Sequence, residues 1–247
     1  MEEINKESEY QWCLEDVKKF NVQINCLAEI GSRDGFDAIK LTKEFKPTKT
    51  YIFEADPRLA KNIEKNISKY KKDMNLNLFN IALGSEDKTV TFHAVDEKKY
   101  DNDGVGSLYV LNFEDREESD PDYKIGYIQK EINVEQKKYT SLDLDTPDLI
   151  AMDVESAELE VLKGLGEQLD SVKIIILETS IHKYHFGGSN FIEIHNYIKP
   201  QFKLIKNRRY GNKNYKIFQD HYKYKFSKIK KFQNAFDLLY VNKSILL

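Results

Sequence analysis

Cysteine is nearly absent from this 247-residue chain: Cys13 and Cys26 are the only two, too few for a disulfide framework and without metal-ligand spacing. Both read as reduced core residues. Also missing is any uncharged apolar run near the roughly 18 residues that span a bilayer, and Met1-Glu2-Glu3 opens a polar, acidic terminus with no secretory h-region. A cytoplasmic protein is expected, in which the sequons Asn66-Ile-Ser68 and Asn242-Lys-Ser244 mean nothing. The chain has no internal repeat and no linker biased enough to divide it, so residues 1–247 are expected to form one domain. With 40% hydrophobic and 12% aromatic residues, it has the means to bury a real core, and disorder throughout is excluded.

Net charge is small, −3, but segregated. Residues 203–232 hold eleven Lys/Arg against the single acid Asp220, whereas residues 96–120 hold nine Asp/Glu against three Lys/Arg. Such segregation is either a solvated face or a means of steering a charged ligand.

The apolar pattern alternates between short buried runs and helical spacing. Residues 4–20 suit an N-terminal helix, within a segment reaching residue 24. Strands are expected at Cys26–Ile30, Thr50–Phe53, Leu76–Leu83, Lys88–Val95, Glu131–Val134, Leu149–Met152, Val172–Leu177 (closed by Glu178), Phe202–Ile205 and Phe236–Val241. Helices are expected at Phe36–Phe45, from Pro57 to about Tyr70 with Asp56 as N-cap, at Ala157–Leu169 and at Phe191–Ile198. The alternation argues for an α/β protein with a mainly parallel sheet covered on both faces. Residues 96–130 read as an acidic loop or lid and 206–235 as a basic, aromatic insertion.

Three strand ends carry chemistry. The first turn, Glu29-Ile-Gly31-Ser32-Arg-Asp34-Gly35, lets the chain approach a ligand closely at Gly31 and aims free helix N–H groups into the same crevice. It is not G-x-G-x-x-G. At the second strand, Phe53-Glu54-Ala55-Asp56 places a carboxylate where it either accepts both hydroxyls of a ribose or faces solvent. The third, Asp153-Val-Glu155-Ser156-Ala-Glu158, gathers three carboxylates within six residues, which a cation or a proton must compensate.

This last segment, continuing to Gly164, resembles the signature of the FkbM family of S-adenosylmethionine-dependent methyltransferases, close to D-x-E-G-A-E-x-x-V-L-x-G. Thr140-Ser-Leu-Asp143 matches the element that precedes it, and Asn80-Ile-Ala82-Leu-Gly84 matches after the third strand. The resemblance covers about residues 25–205 in order. Ser156 departs from it, standing where the family has glycine. It implies a Rossmann-like class I methyltransferase fold, with a seven-stranded sheet ordered 3-2-1-4-5-7-6 and an antiparallel last strand.

It also implies S-adenosylmethionine as cofactor and a hydroxyl of a carbohydrate or related small molecule as acceptor. Glu29, Gly31, Ser32 and Asp34 would line the methionine part, Glu54 and Ala55 the ribose, Asn80 and Ala82 the adenine, and Asp153 the cofactor's reacting end. Carboxylates at the first two strand ends suit a sulfonium and an ammonium better than a pyrophosphate. The hydroxyl's proton must be removed, by a histidine base or with a divalent ion that lowers its pKa. Asp153 and Glu178 are the candidates to hold Mg²⁺ or Mn²⁺. Asp153, Glu155, His182 and His185 are the candidate catalytic residues. The basic segment interleaves Tyr210, Tyr215, Phe218, Tyr222, Tyr224 and Phe226 with its cations, a mixture that suits a solvated strand edge, an anionic or glycan ligand, or base stacking. Nucleic-acid binding or RNA methylation is therefore the alternative function, and a nicotinamide-dependent oxidoreductase a third.

Overall fold

The structure, a computed structural model, describes residues 8–98, 103–112, 129–181, 183–208 and 235–246. In chain order its helices are α1 (Leu14–Lys18), α2 (Phe36–Phe45), α3 (Pro57–Ile67), α4 (Glu158–Gly164) and α5 (Phe191–Ile198). The strands are β1 (Cys26–Ile30), β2 (Lys49–Phe53), β3 (Leu76–Phe79), β4 (Ala82–Leu83), β5 (Lys88–Val95), β6 (Gln129–Lys137), β7 (Leu149–Met152), β8 (Ile174–Ser180), β9 (Phe202–Asn207) and β10 (Ala235–Asn242).

Seven strands form one sheet in the order β3-β2-β1-β7-β8-β10-β9. Counted within the sheet this is 3-2-1-4-5-7-6. The pairs from β3 to β8 are parallel, and β10 runs antiparallel to both neighbours. Both faces are covered. Cys26, Ala28 and Ile30 of β1, Ile150 and Met152 of β7, and Ile175 and Leu177 of β8 pack with α4 and α5 through Val161, Leu162, Ile194 and Ile198. Leu27, Leu149, Ala151, Ile174 and Ile176 pack on the other face with Cys13, Leu14, Val17 and Leu41. Burial on both faces is why these strands read as unbroken apolar runs.

Several strand and helix ends lie a few residues from those expected, and four elements differ in a way that matters to the fold. The described part of the N-terminal segment is a 3₁₀ turn at Gln11–Cys13 followed by the five-residue α1, and left-handed Asn21 follows it. The expected strand at 76–83 is two: Asn80 turns its amide back to the carbonyls of Glu54 (2.8 Å) and Ala55 (3.2 Å), and the chain leaves the main sheet there. The second piece, β4, joins a separate sheet of order β4-β6-β5. Helix α4 stops at Gly164, and a 3₁₀ helix, Gly166–Ser171, continues it. Glu178 does not end its strand, because β10 pairs with β8 as far as Ser180.

The acidic loop and the turn after β8 dock on each other. Asn112 N–H donates to the Tyr184 carbonyl (2.7 Å) and Phe186 N–H to that of Val110 (2.8 Å), while Ser107 and His93 exchange backbone hydrogen bonds. Most of the basic, aromatic insertion lies outside the described residues. No helix among the described residues is long and apolar enough to cross a membrane.

Candidate functional site

Gly31 is the pivot. At φ +80° it turns the chain off β1 so tightly that a Cβ there would lie 1.9 Å from the Asp153 carbonyl oxygen, a position only glycine can occupy. Its N–H donates to the Phe53 carbonyl (2.9 Å) and Asp153 N–H to that of Ile30 (3.0 Å), so the ends of β1, β2 and β7 are tied together. Two cavities meet at Gly31 and Asp153.

The larger, of about 740 Å³, opens where β1, β7, β8 and β10 end. It presents a row of carboxylates. Met152 pairs with Leu177 and Glu178 with Asp237, so Asp153, Glu178 and Asp237 are neighbours across three adjacent strands, with Glu29 behind them on β1. Asp153 and Glu178 are hydrogen-bonded to each other, and burial with mutual repulsion raises the affinity of the pair for a proton. Asp237 accepts from Arg208 Nη1 (3.0 Å). Glu29 is 2% exposed, and burial, reinforced by Asp37, raises its pKa well above the usual range although Ser32 donates to it. Asp34 accepts from the N–H of Phe36 (2.9 Å) at the start of α2.

The smaller cavity, about 60 Å³, surrounds Glu54, Ala55, Ile81 and Ala82, with Asp103, Gly104 and Leu108 on its outer wall. Glu54 accepts from the N–H groups of Arg33 (3.0 Å) and Asp56 (2.8 Å). Burial nevertheless pushes it up to about 7. Arg33 also pairs with Asp103 (2.9 Å), which latches the acidic loop over this space.

Between the cavities runs the turn 153–157, with Glu155 at φ +50° and Ser156 at φ +78°. Glu158, 2% exposed, clamps it by accepting from the N–H groups of Val154 (3.3 Å) and Ser156 (3.1 Å). Burial pushes this carboxyl up to about 8. Ser107 Oγ donates to the Glu155 carbonyl (2.7 Å) and Ser189 N–H to that of Ser156 (2.8 Å). The Ser156 side chain, where the resemblance expects glycine, turns to His185 Nδ1 (2.9 Å) and stays out of both cavities.

The structure thus brings Glu29, Gly31, Ser32, Asp34, Asp153 and Glu178 to one cavity and Glu54, Ala55 and Ala82 to the other. Asn80 braces the backbone of Glu54 and Ala55 and does not line either. Glu155 is half-buried in the turn and lines neither. His185 is fully buried against Ser156 and lines neither, so the expectation of a base or ligand there is corrected to a brace. His182 lies outside the described residues. Among the described residues no three His, Cys, Asp or Glu are grouped to hold a metal ion, and the expected pair Asp153 and Glu178 supplies two carboxyl groups side by side. Tyr10, Arg208 and Asp237 line the large cavity and were not anticipated. The last carried one legible signal, a charge interrupting the apolar strand Phe236–Val241.

Residues 29–213, well over half of the chain, match the model of the methyltransferase FkbM domain. The chain belongs to the FkbM methyltransferase family. It is 25% identical to 2-O-methyltransferase NoeI of Sinorhizobium fredii (strain NBRC 101917 / NGR234) over 185 residues, 72% of each protein. Its fold is that of methyltransferase FkbM from Methylobacillus flagellatus KT (TM-score 0.50, 12% identity), which covers 87% of this chain while this chain spans 43% of that one. M. capricolum TrmK, solved with S-adenosylhomocysteine, superposes at TM-score 0.44 with 10% identity, over 93% of this chain and 67% of its own, a likeness too slight to bear on function. As an FkbM protein the chain is an S-adenosylmethionine-dependent methyltransferase, with a Rossmann-like sheet.

Proposed function

We propose that this FkbM protein methylates a hydroxyl of a carbohydrate or a related polar small molecule. The observation that carries the reading is the adjoining carboxyl groups of Asp153 and Glu178, which face a cavity of about 740 Å³ beside the glycine turn. S-adenosylmethionine, when bound, supplies an electrophilic methyl group on a sulfonium.

The residues present fit that cofactor. Gly31 leaves room where any side chain would collide with Asp153. Glu29 offers a carboxylate to the ammonium, with Ser32 and Asp34 beside it, and Glu54, with Ala55 beside it, offers one to the ribose hydroxyls while Ala82 borders the adenine. Asp153 lines both cavities and so stands between cofactor and acceptor. In this reading Glu178 holds a proton and Asp153, the ionised member, takes the proton of the acceptor hydroxyl as its oxygen bonds to the methyl carbon. No step is assigned to a metal ion. Glu155 has no role here beyond its field on Glu178.

The alternative of RNA as substrate rests on the basic segment. Of its cations, Lys203, Lys206 and Arg208 are described, and the last two are engaged by Asp16 and Asp237. Isothermal titration with S-adenosylmethionine, NADH and single-stranded RNA, followed by transfer of labelled methyl to a panel of methyl glycosides and to RNA, tests the assignment. Binding of the first ligand and label on a glycoside is expected. Label on RNA alone refutes it.

A further inference from the structure

Asp237 and Arg208 lie at the far side of the large cavity from the glycine turn, next to Glu178. Asp237 falls beyond the segment that matches the family model, while Arg208 lies within it. Strands in a sheet are spaced roughly 4.8 Å apart, which puts the Asp237 carboxyl one strand spacing from the Asp153–Glu178 pair. Its partner differs. Asp153 and Glu178 adjoin each other, whereas Asp237 is half-buried and ion-paired to a half-exposed guanidinium. Arg208 also reaches Glu9 at 3.5 Å, and its main-chain N–H donates to the Asp237 carbonyl (3.0 Å).

A carboxylate joined to a guanidinium presents acceptors and donors side by side, which is what a hydroxyl requires, since it gives one hydrogen bond and takes others. An ammonium would need acceptors alone, and an anion donors alone. Tyr10, 6% exposed, lines the same cavity.

We propose that Asp237, held by Arg208, is a specificity-determining residue that binds the hydroxyl adjacent to the one being methylated, so that the acceptor is a vicinal diol on a ring. This rests on the reading that the acceptor is a hydroxyl, and it adds what that reading lacks, a reason for the enzyme to demand two. Asp153 and Glu178 engage the reacting hydroxyl, and Asp237 fixes the ring by its neighbour.

The test uses the full chain, S-adenosylmethionine with a labelled methyl, and a panel of methyl glycosides, each paired with analogues lacking one hydroxyl in turn. For the glycoside that is methylated, removal of the hydroxyl next to the methylated position is expected to lower kcat/KM by about 10²-fold or more, the penalty for leaving polar groups of a site unpaired. Asp237→Asn and Arg208→Gln are expected to lose at least about tenfold more on the parent glycoside than on that deoxy analogue, a coupling that a merely structural role does not produce. Equal losses on both substrates, or loss of S-adenosylmethionine binding in the variants, overturn the assignment. If the wild type binds the cofactor and labels no glycoside, the hydroxyl-acceptor reading itself fails, and this inference falls with it.

Discussion

Replacing Glu54 by glutamine removes a charge and keeps the shape. The carboxylate is 6% exposed and accepts two backbone hydrogen bonds, from Arg33 (3.0 Å) and Asp56 (2.8 Å). A carboxylate has about four acceptor sites, so two are left for the hydroxyls of a ribose. Glutamine keeps one acceptor oxygen and sets an amide against a backbone donor. The loss is that of at least one charge-assisted hydrogen bond, about 1.5–3 kcal/mol, or about 10- to 150-fold in Kd. Because burial raises Glu54 to about 7, the binding-competent carboxylate is the minor form at pH 6 and the major form at pH 8. Wild-type affinity for S-adenosylmethionine should therefore rise about tenfold across that interval, and affinity is reduced by the fraction not competent. Titration calorimetry on both proteins at both pH values reads this directly. All other titrating groups are common to the two, so the difference between the profiles isolates Glu54. A glutamine variant that stays folded and binds within twofold of wild type at pH 8, or parallel profiles, would refute the reasoning.

Gly31→Ala should abolish cofactor binding, since its methyl group would collide with the Asp153 carbonyl at φ +80°; unchanged calorimetric affinity would contradict this. Glu158, raised to about 8 by burial, binds its proton more tightly folded than unfolded, so its part of the stability is lost as pH rises from about 4.5 to 8. Glu158→Gln should flatten the fall in unfolding free energy between pH 5 and pH 9 by about 2–4 kcal/mol, and denaturant melts that remain parallel to wild type would count against a buried neutral carboxyl. Methyl transfer is expected to survive EDTA, since Asp153 itself takes the acceptor proton in the reading above and no three metal-ligating side chains are grouped among the described residues; loss of activity with recovery on adding Mg²⁺ or Mn²⁺ would restore the ion to the site. Cofactor binding is expected to widen the space of about 60 Å³ beside Glu54 by movement of residues 103–108, which line it. Asp103→Ala, which removes the Arg33 latch, should speed amide exchange in that loop while leaving β1 and β7 protected, and no change in exchange would argue that the latch closes nothing.

The strand and helix order was legible in the chain itself. Buried parallel strands announce themselves as continuous apolar runs, so β1, β7 and helices α2 and α5 have the bounds that their patterns predict. Glu29, Gly31, Glu54 and Asp153 could be named for a related reason: each lies at or just past a strand's end, and strand ends in a doubly wound sheet converge on one crevice. Asn80 shows where local reading stops. Its segment has the composition of a single strand, yet a side-chain bond to the Glu54 carbonyl, between residues 26 positions apart, divides it between two sheets.

What only the tertiary structure decided depends on register and on which direction a side chain takes. His185 was a candidate base because of its spacing from Glu178, and packing against Ser156 removes it from both cavities. Asp237 and Tyr10 stand far from the signature in sequence. Antiparallel pairing of β10 with β8 brings the first beside Glu178, and packing of the N-terminal segment on the sheet brings the second to the same cavity. The signature motif named Asp153 and a strand end named Glu178. That the two adjoin is set by the parallel pairing of Met152 with Leu177, and no single segment encodes that distance.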